Sequence, residues 1–137
     1  MVQEDHIAPL AVADRLGREG RAVTMFVQTN GPAPTLSRYS IGTMLGRLSE
    51  ARVKIVATEA VTRIALPEIT TRNVYSGIET VHGGFDSVVL ACGGLPRDAL
   101  FAELSGDGRE IHVLGDAYAP RRISFATQQG YALAKTL

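Results

Sequence analysis

The hydrophobic pattern divides the first half of the chain into alternating helical and strand-like runs. Leu10–Leu16 has apolar residues at helical spacing, and Gly20 is a natural C-terminal stop for that helix. Ala22–Gln28 is a nearly continuous apolar run, which is typical of a strand covered on both faces. Tyr39–Leu48 predicts a second helix, weakened by two internal glycines.

The middle of the chain alternates in the manner of β hairpins. The stretch "VKIVATEAVTRI" predicts one or two strands, and Glu68–His82 is β-branched with polar alternation, which favours antiparallel hairpin strands. Ser87–Cys92 returns to the fully buried type of strand. "RDALFAEL" then predicts a short helix, "EIHVLGD" another strand, and a final helix begins near Pro120.

This order of elements predicts an α/β protein. Helix–strand–helix–strand, a meander and strand–helix–strand–helix favour a Rossmann-like three-layer fold, with a mostly parallel sheet and an inserted antiparallel β meander. A first buried strand ahead of the first helix is missing. We therefore expect Ile111–Leu114 to pair with residues 22–28 or 87–92, in this chain or swapped from a second copy. The alternative is a stunted strand formed by a few N-terminal residues, with residues 111–137 packed outside.

Composition and charge exclude several classes of protein. The chain has 137 residues, 45% of them hydrophobic and 20% charged, with a formal net charge of zero. One domain without nucleic-acid or membrane partners is expected, because there is no basic surface and every apolar run is shorter than the roughly 20 residues of a membrane span. Two acids near the N-terminus argue against a signal peptide and favour a cytoplasmic location. The single cysteine, Cys92, excludes an internal disulfide and a cysteine-ligated cluster within the chain, and its apolar surroundings predict an inert buried thiol.

The chain lacks the features of a working dinucleotide site. No GxGxxG occurs, and Glu4 and Asp5 stand where the pyrophosphate turn would lie. Gln28 and Thr29 occupy the place of the acid that binds ribose. Tight binding of NAD(H) is therefore not expected.

Two glycine-containing turns are the candidates for a ligand site. In "VVLACGGLP", Gly93 and Gly94 either let the backbone pass close to a nucleotide or form a tight exit turn from a strand. In "VLGDA", Gly115, Asp116 and Ala117 follow a predicted strand, where α/β proteins bind ligands. Asp116 is alternatively a helix cap.

The remaining polar residues show no catalytic spacing. His6, His82 and His112 are widely separated and are interpreted as surface or loop histidines. Arg121 and Arg122, near the start of the final helix, either meet a phosphate or are solvated. No Ser–His–Asp arrangement is indicated.

Taken in order, the C-terminal motifs resemble a known family. "DSVVLACGGLPRDALFAEL", "REIHVLGDA" and "APRRISFATQQGYALAKTL" resemble the end of a flavoprotein pyridine-nucleotide-reductase module. "GDAYAPRRI" and the later "GY" are similar to the C-terminal part of the trimethylamine dehydrogenase group of NADH:flavin oxidoreductases, which includes relatives of old yellow enzyme and 2,4-dienoyl-CoA reductase. "LAVADRLGREGRAVTMFVQTNG" and "LSRYSIGTMLGRLSEARVKIVATEAV" are similar to the same group's second nucleotide-fold domain.

The resemblance implies a piece of a larger flavoenzyme. Such proteins carry an FMN barrel, then cysteines that hold a [4Fe–4S] cluster, then two nucleotide-fold domains. This chain looks like the C-terminal module, truncated at its first strand: residues 1–96 match the second nucleotide-fold portion with its meander, and residues 97–137 match the returning strand and closing helix of the flavin- or ADP-binding portion. Gly115 and Asp116, with Ala117 after them, match the family's Gly-Asp. Gly93 and Gly94 match its strand-exit turn, although Cys92 replaces the usual Thr.

The function implied is that of the C-terminal domain of an FMN and iron–sulfur oxidoreductase. The parent would be an amine dehydrogenase or a related enoate or dienoyl reductase, and the fragment itself would be non-catalytic. No tightly bound cofactor is expected here, whereas FMN, [4Fe–4S] and ADP or FAD would bind the parent. The expected partners are the upstream FMN barrel and cluster domain, with a homodimer through an exposed sheet edge. The alternative is a stand-alone module that binds ADP or another nucleotide in a structural or regulatory role. A receiver-like domain is disfavoured, because "VKIVATEA" and "VVLACGG" supply neither its Asp nor its Lys.

Overall fold

The computed structural model describes residues 7–34, 36–106 and 108–137. The chain divides into two compact units, Met1–Cys92 and Gly93–Leu137. Glu4, Asp5 and His6 lie outside the described residues. No helix within the described ranges is both long enough and apolar enough to cross a membrane.

The first unit combines a parallel strand pair with an antiparallel meander. Its elements in chain order are α1 (Ala8–Arg18), β1 (Thr24–Val27), α2 (Arg38–Glu50), β2 (Lys54–Ala57), β3 (Glu59–Ala65), β4 (Glu68–Asn73) and β5 (Glu79–His82). β1 and β2 are parallel, with Thr24 opposite Lys54, and β3, β4 and β5 form the meander in that order. A strand–helix–strand unit followed by a meander confirms the α/β class.

Alternation along β1 explains how the first unit is layered. Met25 packs against the core cluster that includes Leu10 of α1 and Leu48 of α2. The next side chain, Phe26, points to the opposite face, where its ring lies 4.9 Å from that of His82 and 6.0 Å from that of Phe85. Since successive side chains of a strand point to opposite faces, β1 is covered by helices on one side and by residues of the meander region on the other. The continuous apolar run therefore lies between two layers, but the residues of β1 are half-buried and not fully buried as the run predicts.

The second unit contains little regular structure. It has a short helix α3 (Ala99–Leu104), a 3-10 turn at Gly115–Ala117 and a longer helix α4 (Ile123–Ala134). None of its described residues is buried. Large apolar side chains are instead open to solvent, among them Leu95 at 88% exposure and Ile123 at 82%. The unit therefore has no hydrophobic core of its own.

Two predicted strands are absent, which corrects the sequence-based interpretation. Ser87–Cys92 and Ile111–Leu114 have no strand assignment, and among the described residues β1 and β2 pair only with each other. The predicted pairing of Ile111–Leu114 with residues 22–28 or 87–92 is thus wrong within one chain, and a swap with a second copy stays a prediction. The alternative of a stunted N-terminal strand falls on residues 1–6, which lie outside the described residues. Apolar composition alone does not make a strand, because a strand needs a neighbour for its backbone hydrogen bonds. The final helix begins at Ile123, three residues beyond Pro120.

An ion-pair cluster fastens the two helices of the first unit. Asp14, on α1, is buried, and its carboxylate accepts hydrogen bonds from Arg18 at 3.0 Å and from both Nε and the terminal nitrogen of Arg47 on α2. Burial alone would raise the pKa of Asp14, but the hydrogen bond from Arg47 and the charges of both arginines outweigh it and lower the pKa. The ionised form is therefore favoured in the folded protein.

Asp14→Asn should lower the thermal midpoint and change its dependence on pH. Because the folded-state pKa lies below the ordinary value of 3.8, the stabilisation from Asp14 is present above that value and is lost as the pH falls through the folded pKa. The midpoint of the wild type should thus drop more steeply below about pH 4 than that of the variant. Glu19→Gln is the control, since Glu19 pairs with Arg15 on the exposed surface. Parallel pH profiles for wild type and Asp14→Asn would contradict the assignment.

Candidate functional site

Three of the predicted site residues line one cleft in the second unit. Gly94, Asp116 and Ala117 border a cleft of about 350 Å³. The other lining residues are Leu95, Arg97 and Pro120. The volume is at the lower end of the range for small-molecule sites. Arg97 was not among the predicted site residues, although its position directly after the "GGLP" turn marks it as a neighbour of that turn.

The glycines of this site are required by backbone conformation and by packing. Gly93 has φ of 97° and Gly115 has φ of 60°, values that favour glycine. A Cβ on Gly94 would lie 3.1 Å from Cβ of Pro120, and a Cβ on Gly115 would lie 3.2 Å from Cβ of Ala126. Contacts within the unit therefore account for these glycines without a ligand, as the tight-turn alternative predicts.

Asp116 is placed ahead of α4 and is not the cap of that helix. Its Oδ1 accepts a hydrogen bond from the backbone N–H of Arg121 at 3.3 Å, whereas the residue at the N-cap position is Arg122, which makes no side-chain capping bond. The backbone N–H of Gly115 donates to Oε1 of Gln129 at 2.8 Å and ties this turn to α4. Asp116 is exposed and shares the cleft with Arg97. A guanidinium and a carboxylate on one cleft suit a ligand that has both an anionic group and a hydroxyl.

Among the described residues, the histidines and the cysteine form no second site. His82 lies 2.9 Å from the hydroxyl of the buried Thr71, and His112 forms an ion pair with Glu110 at 3.0 Å. Within the described part of the chain no group of His, Cys, Asp and Glu residues is suited to a metal ion. Cys92 is exposed, so the prediction of a buried thiol is wrong. The reason is that residues 87–92 form no strand that a sheet could cover.

FMN and an iron–sulfur cluster do not fit the residues of this chain. A [4Fe–4S] cluster is held by four cysteine thiolates, whereas the sequence contains one cysteine. The cleft of about 350 Å³ offers one cation, Arg97, and no glycine-rich phosphate turn. The cleft alone therefore does not provide the residues that would hold either group.

Comparison with known proteins finds matches among solved structures only. No protein-family model and no curated sequence matches the chain. Histamine dehydrogenase from Rhizobium sp. 4-9 is 26% identical with a TM-score of 0.84, over 98% of this chain and 22% of that chain. The 6-hydroxypseudooxynicotine amine oxidase from Pseudomonas geniculata N1 is 28% identical with a TM-score of 0.82, over 94% of this chain and 20% of that chain. The resemblance to the trimethylamine dehydrogenase group is confirmed.

A third match extends the fold beyond amine-oxidising enzymes. 2-Naphthoyl-CoA reductase is 19% identical with a TM-score of 0.72, over 89% of this chain and 18% of that chain, which shows a shared fold alone. All three neighbours are members of the trimethylamine dehydrogenase and old yellow enzyme family. The chain spans about a fifth of their length.

Proposed function

We propose that this chain is the C-terminal nucleotide-fold module of an amine-oxidising enzyme that uses FMN and a [4Fe–4S] cluster. The observation that supports this most directly is that two amine-oxidising proteins match almost the whole chain at 28% and 26% identity. In the parent, FMN and the cluster would supply the redox chemistry, and residues outside this chain would hold both groups. This module holds neither group, and by itself has no catalytic activity.

The second unit supports the proposal because its exposed apolar side chains lack packing partners among the described residues. A unit of 45 residues, Gly93–Leu137, that buries none of its described side chains cannot offset the entropy of ordering its backbone. Val89 and Leu90, just ahead of it, are 63% and 70% exposed in an extended segment that forms no strand. We propose that upstream parts of the parent chain, including the barrel and cluster domain, supply the missing neighbours.

The proposal also assigns two segments of the chain to two different portions of the parent enzyme. Residues 1–96 would be the second nucleotide-fold portion, and residues 97–137 the returning part of the flavin- or ADP-binding portion. The break between the two compact units, at Cys92 and Gly93, lies close to this boundary and supports it. Gly93, Gly94, Gly115, Asp116 and Ala117 would then form one edge of an ADP or FAD site, and upstream residues would complete that site.

Reduction of the flavin by an amine would distinguish an amine-oxidising parent enzyme from an enoyl-thioester reductase. The polypeptide that carries this chain, purified with its cofactors, should lose its oxidised-flavin absorbance when histamine or another small primary amine is added without oxygen. In a parallel assay, the same protein is given NADH and then an enoyl thioester in place of the amine. If the flavin is reduced by NADH and reoxidised by the enoyl thioester, with no response to amines, the parent is a reductase and the proposal is wrong.

A stand-alone nucleotide-binding module is the second candidate function. Arg97 and Asp116 on a cleft of about 350 Å³ favour it, since together they could contact a phosphate and a ribose hydroxyl. It predicts that the isolated chain binds ADP at micromolar concentration or tighter. The main proposal predicts weaker binding of ADP, FAD and NADH, because no phosphate turn is present. Titration calorimetry with each ligand decides between them.

Asp116→Ala gives a further test of the cleft. The hydrogen bond to Arg121 is long, at 3.3 Å, and exposed, so its loss should reduce the free energy of unfolding by less than about 1 kcal/mol. Asp116→Asn, which keeps the acceptor oxygen, is the matched control. Comparison of urea midpoints checks this, and a loss well above 1 kcal/mol would show a capping role that the geometry does not support.

Location and assembly complete the proposal. We propose the cytoplasm, where an exposed thiol such as that of Cys92 stays reduced. A homodimer through an exposed sheet edge remains a prediction, with β5 as the candidate strand, because β5 pairs on one side with β4 at the end of the meander.

A further inference from the structure

A polar network in the first unit joins the carboxyl ends of β1 and β2 to the meander. The backbone N–H of Thr58, between β2 and β3, donates to the carbonyl of Thr29 at 3.0 Å. The side-chain amide of Asn73 donates to Oγ1 of Thr58 at 3.0 Å and to Oε1 of Glu59 at 3.2 Å. Its carbonyl oxygen accepts from the N–H of Tyr75 at 3.1 Å. In open α/β sheets, ligands bind at the carboxyl ends of the parallel strands.

The backbone at this point is in an unusual conformation. Thr58 has φ of 62°, which a β-branched residue adopts only when its surroundings hold it there. Four hydrogen bonds involve this residue: one through its N–H, one through its carbonyl and two through its hydroxyl. Such local conformations cost free energy and are concentrated at functional sites.

Glu59, the next residue, carries an unpaired buried oxygen. Its Oε1 accepts from Asn73, whereas Oε2 is closed off from solvent and has no hydrogen-bond partner among the described residues. No ion pair within the described ranges offsets its charge. Leaving a buried carboxylate oxygen without a donor costs more than leaving a neutral acceptor unpaired.

The hydroxyl groups of the network donate their hydrogens to other oxygens of the protein. Some oxygen lone pairs of the network are therefore left without a hydrogen-bond donor. The hydroxyl of Thr29 donates to the carbonyl of Gly31 at 2.6 Å, that of Thr58 to the carbonyl of Ala57 at 2.7 Å, and that of Tyr75 to Oδ1 of Asn30 at 3.1 Å. Spare lone pairs remain on these oxygens, together with the carboxylate of Glu59. A surplus of acceptors with a negative charge repels phosphate and attracts a cation.

We propose that Glu59 anchors a binding site for a compact cation at the carboxyl ends of β1 and β2, occupied by a monovalent metal ion or by a primary ammonium group. A rotation of the Glu59 side chain brings Oε2 to the cation, while Asn73 holds Thr58 and the start of β3 in place. Pairing with the cation removes the cost of the unpaired oxygen. The energy thus released favours the bound state and stabilises the fold.

Thermal unfolding of the full chain in different chloride salts tests the site. At equal ionic strength, potassium or methylammonium chloride should raise the midpoint by about 4 °C or more over tetramethylammonium chloride, whose cation is too bulky for the site. A rise with potassium alone identifies a metal site, and a rise with methylammonium alone identifies an ammonium site. Glu59→Gln should abolish the rise. The control Glu68→Gln, at an exposed position on β4, should retain it.

The proposal is overturned if all the chlorides give one midpoint, or if Glu59→Gln keeps the rise. NMR titration of the wild type covers the case in which Glu59→Gln does not fold. Backbone amides of residues 58, 59 and 73–76 should shift with the active cation and not with tetramethylammonium. Shifts confined to other residues would also overturn it. None of these outcomes depends on amine oxidation by the parent enzyme.

Discussion

In the isolated chain, the helices of the second unit should exchange their amide hydrogens rapidly, while the first unit stays protected. We expect α3 and α4 to exchange on the order of a thousandfold faster than β1, β2 and β4. The reason is the distribution of buried surface: Leu10, Leu48, Ile69 and Thr71 are all at most 4% exposed in the first unit, whereas neither α3 nor α4 has a buried residue. Helices of 6 and 12 residues that bury no side chain are marginal in water.

Hydrogen exchange followed by mass spectrometry measures this difference directly. The same peptides from the whole parent polypeptide are the control, because its upstream domains should cover the second unit and slow the exchange of α4. Equal protection of α4 and β4 in the isolated chain would contradict the account. It would mean that Gly93–Leu137 is a self-sufficient fold.

Leu48→Ala should remove much of the stability of the first unit. Leu48 is 1% exposed and packs with Leu10 and Ala13 between the two helices. Truncation of a buried leucine to alanine costs about 2–5 kcal/mol, through lost burial and the cavity that remains. For a small domain, this is a large fraction of the free energy of unfolding.

Leu100→Ala is the matched control for that substitution. Leu100 is 66% exposed on α3, so the same chemical change should alter the urea midpoint of the main transition by less than about 0.5 kcal/mol. Comparable losses for the two variants would show that the core extends into the second unit.

The first unit was predictable because its signals are local. Helical spacing in Leu10–Leu16 and the stop at Gly20, which has φ of 82°, place α1 correctly, and alternation in Glu68–His82 identifies the hairpin of β4 and β5. The strands proposed for Ser87–Cys92 and Ile111–Leu114 failed for the opposite reason. Their apolar composition favours a sheet, but no strand among the described residues lies beside them to accept their backbone hydrogen bonds.

The polar contacts could be predicted only in part. The "GGLP" and "GDA" turns indicated the cleft, because Gly94 and Asp116 are marked by local sequence. The pair of Asp14 and Arg47 joins residues 33 positions apart, and the bond of Asn73 to Glu59 joins residues 14 apart. Such pairs depend on how helices and strands pack, and no periodicity in the sequence records them.

The size of the polypeptide that carries this chain in the cell tests the central claim most directly. An antibody raised against residues 7–92 should detect a protein about five times the length of the chain, since the chain spans 20% and 22% of the two amine-oxidising enzymes that it matches. That protein, once isolated, should contain flavin and iron. Detection of a 14.6 kDa protein alone, without flavin or iron, would contradict the account.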